Sequence, residues 1–115
     1  MKLLQLNYKH RALKLNVHEV SSLGKYSGLM FHSSSTQPLL FDFGKNVNMV
    51  LHSWFVFFPF LVLWLDEDMK ILDFRVVHPF TFLIKSRKAF QYVLEVPLHE
   101  KYYDFFRFFV GNRKI

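Results

Sequence analysis

The sequence predicts a mainly β protein: a small antiparallel β-sandwich or barrel, jelly-roll-like, with one short helical turn and one C-terminal amphipathic helix. Three observations predict it. Several short stretches alternate apolar and polar residues, the period of a half-buried strand. Aromatic and β-branched residues dominate them, with 15 Phe and only 4 Gly in 115 residues, a composition suited to strands. Turn-forming clusters separate the stretches at close intervals. Apolar residues are 51% and charged residues 21%, so the chain is neither disordered nor low in complexity. Its length suits one domain over residues 1–115, able to bury roughly two thirds of the surface its unfolded chain exposes.

Residues 12–18 set Leu13, Leu15 and Val17 on one side and Lys14, Asn16 and His18 on the other, a half-buried strand. Ser21 and Ser22 can cap a helical turn from Leu23 to Tyr26, and Gly28 can end it in a left-handed conformation. Ser33 to Pro38 is a polar loop, Leu39 to Phe43 a short strand and Gly44-Lys45-Asn46 a turn. Val47 to Phe57 and Phe60 to Leu65 are apolar on both faces, as strands are in a sheet covered on both sides. Asp66-Glu67-Asp68-Met69-Lys70 turns the chain. Leu72, Phe74, Val76 and His78 then face one way, and Asp73 and Arg75 the other, in a strand antiparallel to its predecessor. Phe90, Tyr92, Leu94 and Val96 alternate with Gln91 and Glu95 in the same manner. After Pro97 the period becomes helical: Glu100, Asp104 and Arg107 share one face, and Leu98, Tyr102, Phe105 and Phe109 another. Residues 99–108 are read as a helix covering an open end or edge of the sheet.

The run from Met49 to Leu65 resembles a membrane span. It contains His52 and Ser53, is broken by Pro59 and is rich in aromatic and β-branched residues. A spanning helix takes ~20 apolar residues, so two buried strands fit better and no membrane is expected. The first residues lack the ~7–15-residue apolar stretch of an export signal. With no Cys in the chain, the expected location is the cytoplasm. The same absence excludes a disulfide framework, a thiolate metal site and a cysteine nucleophile.

Lys plus Arg is 15 and Asp plus Glu is 9, a net charge of +6. A basic protein attracts polyanions. The densest clusters are Lys9-His10-Arg11 with Lys14, Lys85-Ser86-Arg87-Lys88, and Arg113-Lys114. None is a long run, so a basic solvated surface is the simpler reading.

The order of several short segments resembles the domain of unknown function 192 family of bacteria and archaea. The segments are Gly28-Leu29-Met30-Phe31, Leu39-Leu40-Phe41-Asp42-Phe43, Ser53-Trp54-Phe55, Pro59 and Trp64-Leu65-Asp66-Glu67-Asp68. Tyr92-Val93-Leu94-Glu95-Val96-Pro97 and Val110-Gly111-Asn112 complete them, and the likeness covers about residues 12–115. No single motif is specific; the likeness lies in their order. It implies a compact, mainly β domain and no particular activity. Many bacterial members read Trp-Met-Lys-Asn-Thr before the proline and Leu-Asp after it. Here Phe55-Val56-Phe57-Phe58 follows Trp54, and Leu61 replaces the Asp. Any polar site built from that Lys, Asn and Asp is absent, and the apolar version resembles the archaeal branch. Gly is common in the family where Met69 and the Leu98-His99 pair stand. A side chain in a left-handed turn costs ~1 kcal/mol, so a differently built turn is expected.

Candidate chemistry is sparse. His52 beside Ser53 is no base–nucleophile pair, because adjacent strand residues point to opposite faces. Asp66-Glu67-Asp68 offers cation-binding oxygens but lacks the spacing of a calcium loop, and a solvated hairpin turn is the simpler reading. His10, His18, His32, His52, His78 and His99 show no zinc-binding spacing. Glu95 could join Asp66 and His78 as an acid–base group, but a water-facing strand position is favoured. Phe82, Lys85, Arg87, Lys88 and Tyr92 form the best aromatic and basic cluster for single-stranded nucleic acid.

The reading that results is a non-enzymatic module binding an unknown small molecule or protein. Its sheet face is rimmed by Lys85, Arg87 and Lys88, with Trp54 and His78 as contacts. No catalytic residue, metal or cofactor is assigned. Single-stranded RNA or DNA binding through the basic rim is the alternative. A small hydrolase using Glu95 or Asp66 would require a carboxylate of raised pKa in a cleft. The expected state is a monomer or a weak homodimer through Phe residues of the last helix.

Overall fold

A computed structural model describes residues 2–8, 11–20, 37–48, 50–51, 56, 58–81 and 84–111. Eight strands and one helix occur among them: β1 (Lys2–Tyr8), β2 (Arg11–Val20), β3 (Leu39–Val47), β4 (Val50–Leu51), β5 (Phe60–Leu65), β6 (Ile71–Val77), β7 (Ile84–Lys85), β8 (Phe90–Pro97) and α1 (Tyr103–Val110). Six form one sheet in the order β1-β2-β3-β8-β5-β6, while β4 and β7 pair in a small second sheet. The large sheet curls into a half-barrel, and an isolated bridge between Asn7 and Lys70 brings its first and last strands together.

β2 alternates as its sequence requires, with Leu15 and Val17 buried and Lys14, Asn16 and His18 exposed. β1 was not anticipated, although Leu4 and Leu6 alternate with Gln5 and Asn7 and pair with β2 in antiparallel register. One pairing departs from the antiparallel expectation: β2 and β3 are parallel, with His18 opposite Leu39. Parallel neighbours need a connection of about a dozen residues or more, and the chain between Val20 and Leu39 is long enough. The helical turn, Gly28 and residues 33–36 of the polar loop lie outside the described residues.

β5 is buried along its whole length, between β8 and β6, as its double-faced apolar sequence predicts. The preceding stretch differs. Val47 closes β3, Val50 and Leu51 form β4, and Val56 and Phe58 are buried outside any strand. Among the described residues, 47–57 is therefore not one central strand. Val56 and Phe58 pack in the outer cluster that covers one face of the sheet.

Two apolar clusters flank the sheet. The inner one joins Leu4, Leu6, Leu15, Val17, Leu61, Leu63, Leu65, Leu94 and Val96. The outer one joins Phe41, Phe60, Val62, Trp64, Val77, Phe90 and Val93 to Ile84, Val56 and Phe58. A register shift sets Trp64 opposite Asp73 but Leu65 opposite Ile71. This bulge moves Leu72 to the outer cluster while Phe74 and Val76 pack on the inner one, correcting the expected common face.

The last helix starts later than expected. A 3₁₀ turn, Glu100–Tyr102, is capped by His99, whose Nδ1 accepts the Lys101 N–H at 3.2 Å. α1 then seats Phe106 and Phe109 in the inner cluster. Around them Tyr8, Phe74, Phe108 and Phe109 make ring contacts across the β1–β6 seam, at centroid distances of 5.2 to 6.1 Å. The Phe residues of the helix thus fill the barrel: Phe106 and Phe109 are buried, and Phe105 and Phe108 half-buried.

Candidate functional site

The sheet edge at β6 and the excursion that leaves and rejoins it build the candidate site. After Val77 the chain turns through His78-Pro79-Phe80-Thr81, where the His78 carbonyl accepts the Thr81 Oγ1 hydrogen at 2.8 Å. It returns through β7, where Ile84 is buried in the outer cluster and Lys85 points to solvent. Ser86 is buried, and its Oγ accepts the Lys88 N–H at 3.2 Å. This local side-chain bond tightens the turn.

Asp73 on β6 locks the turn in place. Its Oδ2 accepts the Arg87 backbone N–H at 3.2 Å and Nε at 3.4 Å, and its Oδ1 accepts Nη2 at 3.1 Å. The Phe74 N–H also donates to Oδ1, at 2.9 Å. The Asp73 side chain is 11% exposed and that of Arg87 84%. Burial by itself raises the Asp73 pKa. The Arg87 hydrogen bonds, the Phe74 N–H and the Arg87 charge outweigh it and hold the carboxyl below its usual range. The guanidinium has five N–H donors and gives two to Asp73, so an exposed cationic face remains.

The structure thus brings Lys85, Arg87 and Lys88 together on one anchored turn. Lys85 and Lys88 are exposed and have no carboxylate partner among the described residues. His78 is exposed too, but it lies at the far end of β6, roughly 17 Å along the strand from Asp73. Trp54, His52, Ser53 and Phe82 lie outside the described residues. Tyr92 is half-buried against the inner cluster, so it serves packing.

The other candidates resolve as structural. Asp66 organises the β5–β6 turn: its Oδ1 accepts the N–H of Asp68 at 2.8 Å and of Lys70 at 2.9 Å. Met69 takes the left-handed conformation that Gly would occupy, φ 63°, so the turn keeps that backbone despite its side chain. Glu95 does not face water. It is 7% exposed, with Leu39 and Val62 as register partners, because its position in β8 points toward the outer cluster. Asp66 and His78 sit at opposite ends of the β5–β6 hairpin, so the three do not converge. No group of three or more His, Asp or Glu converges among the described residues. No helix among them is long and apolar enough to cross a membrane.

Sequence reasoning missed two residues: Asp73 as the anchor and Ser86 as the buried capping hydroxyl. Asp73 and Ser86 carry a faint signal, a lone polar residue among apolar or basic neighbours.

The family model DUF192, described as "Uncharacterized ACR", matches residues 6–100. The chain belongs to the DUF192 family. No curated protein sequence matches it. Two solved structures share the DUF192 chain's fold. One, from Sinorhizobium meliloti 1021, is described as a "putative transcription regulator"; it is 23% identical with a TM-score of 0.70, covering 81% of this chain and 76% of its own. The other, a protein of unknown function from Novosphingobium aromaticivorans DSM 12444, is 10% identical with a TM-score of 0.73, covering 89% and 76%. At these identities the likeness is one of fold, and function must be argued from the site.

Proposed function

We propose that this DUF192 protein is a cytoplasmic, non-enzymatic binding module whose anchored basic turn, Lys85-Ser86-Arg87-Lys88, receives an anionic ligand or partner. One observation carries the reading: the turn is fixed at Ile84, Ser86 and Asp73 while its cationic groups face solvent. Anchoring lowers the ordering cost of binding, and the net charge of +6 adds long-range attraction. A chain without Cys suits a reducing compartment. Trp54 and His78 remain proposed ligand contacts.

A polyanion column tests the turn. The Lys85→Ala/Lys88→Ala variant should elute from immobilised heparin at clearly lower salt than the Lys14→Ala/Lys45→Ala variant, which removes the same charge from exposed positions elsewhere. Equal elution of the two variants would show that only net charge matters and would remove the turn from consideration.

A second reading, single-stranded RNA or DNA binding, is favoured by charge segregation. From Phe74 to Leu94 the sequence holds Arg75, Lys85, Arg87 and Lys88 and no Asp or Glu.

A further inference from the structure

Arg87 is at once exposed and held. Its side chain is 84% exposed, yet its Nε and Nη2 donate to the two oxygens of Asp73, at 3.4 and 3.1 Å. Pairing along one side of the fork sets the guanidinium plane, because both groups are planar and each contributes two atoms. Asp73 is itself fixed by the Phe74 and Arg87 backbone N–H groups. Of the five guanidinium donors, both on Nη1 and the second on Nη2 remain. The Nη1–Nη2 edge, with its pair of parallel donors, is therefore turned away from Asp73.

Burial alternates along the approach to this edge: Ile84 and Ser86 are buried, Lys85 and Arg87 exposed. Lys85 and Arg87 thus share the solvent side, with at most about 7 Å between their Cα atoms. Lys88 is exposed beside them, and from Phe74 to Leu94 there is no Asp or Glu. Three cations against the single charge of Asp73 match a dianion better than a carboxylate or a phosphodiester. A phosphomonoester carries nearly two negative charges and three terminal oxygens, two for the fork and one for a lysine. We infer that Arg87, oriented by Asp73, is a preset two-pronged receptor for a phosphomonoester group, with Lys85 and Lys88 balancing its charge. This rests on the basic turn being a binding surface and adds the class of ligand and the residue that selects it.

An NMR titration at constant ionic strength and about pH 8, where a phosphomonoester has lost its second proton, tests it. Methyl phosphate should shift the Arg87 Nη signals and bind roughly 10-fold more tightly than dimethyl phosphate or acetate. Inorganic phosphate bound as tightly would assign the same fork to the free ion; bound more weakly, to an ester. Arg87→Lys keeps the charge and loses the fork, so it should bind methyl phosphate roughly 10-fold more weakly. Asp73→Asn adds positive charge but frees the Arg87 side chain, and should weaken binding roughly 2- to 10-fold. Glu67→Gln changes the net charge equally from an exposed turn and should not weaken it. Unaltered binding by Arg87→Lys would overturn the fork, while leaving the basic turn standing if Lys85→Ala/Lys88→Ala is weakened. Tighter binding by Asp73→Asn would overturn its positioning role. Dimethyl phosphate or acetate bound as tightly as methyl phosphate would contradict the ligand class. No Arg87 shift with any probe would overturn the inference outright, and the heparin comparison would then decide separately whether the turn binds another anion.

Discussion

Asp73 shows how one carboxylate converts a loop into a fixed surface. It is nearly buried, yet the Arg87 side chain, the Arg87 N–H and the Phe74 N–H stabilise its charge. A carboxyl whose folded pKa lies below its unfolded value of about 4 stabilises the fold above that value. The contribution is lost as pH falls through the folded pKa. Asp73→Asn should therefore lower the thermal midpoint above about pH 5, with the difference from the parent shrinking toward about pH 2; differential scanning calorimetry across that range checks it. Asp66 works by backbone capping. Asp66→Ala should cost about 1–2 kcal/mol in urea denaturation. Glu67→Ala and Asp68→Ala should stay within about 0.5 kcal/mol, and added calcium should shift no midpoint. These roles were unevenly visible in advance. The Asp-rich segment announces a turn by composition, whereas the partner of Asp73 lies beyond an entire corner of the chain, and no local pattern reveals it.

The elements divide in the same way. β2 and β5 could be read from alternation or continuous apolarity because their burial follows the sequence pattern; β8 is buried on both faces from Val93 onward, and Phe90 packs in the outer cluster while Tyr92, Leu94 and Val96 pack on the inner one, not on the single expected face. The bulge in β6 breaks that repeat and sends Leu72 to the outer cluster, which a period-2 reading cannot foresee. Glu95 misled for a related reason: an isolated strand cannot say that its polar face will be covered by another layer. Val56 and Phe58 are buried outside any strand, and a covering segment needs the same residues as a buried strand. In α1, Phe106 is the central anchor, fully buried in the inner cluster, while Tyr103 is 45% exposed. Phe106→Ala should cost about 3–5 kcal/mol, and Tyr103→Ala less than about 0.5 kcal/mol; chemical denaturation separates the two.

At the scale of the molecule, the half-barrel and its outer cover have different tasks. The inner cluster, the Asn7–Lys70 bridge and the aromatic seam around Tyr8 and Phe74 hold the sheet in its curl. Tyr8→Ala should destabilise the whole fold by about 2–4 kcal/mol, and hydrogen exchange should show β1 and β6 losing protection together. The outer layer seats β7 and the basic turn on the sheet through Ile84 and Asp73, so rigidity of the sheet becomes rigidity of the charged surface. Mainly β architecture was legible from the chain; the proposed function rests on where this one turn is fastened. The most direct test of that account is native mass spectrometry of the protein purified gently at low salt, beside the Lys85→Ala/Lys88→Ala variant. The account predicts an anionic species bound to the parent, released as salt rises and missing from the variant. A bound species retained equally by both proteins, or a parent that stays bare at low salt, would contradict it.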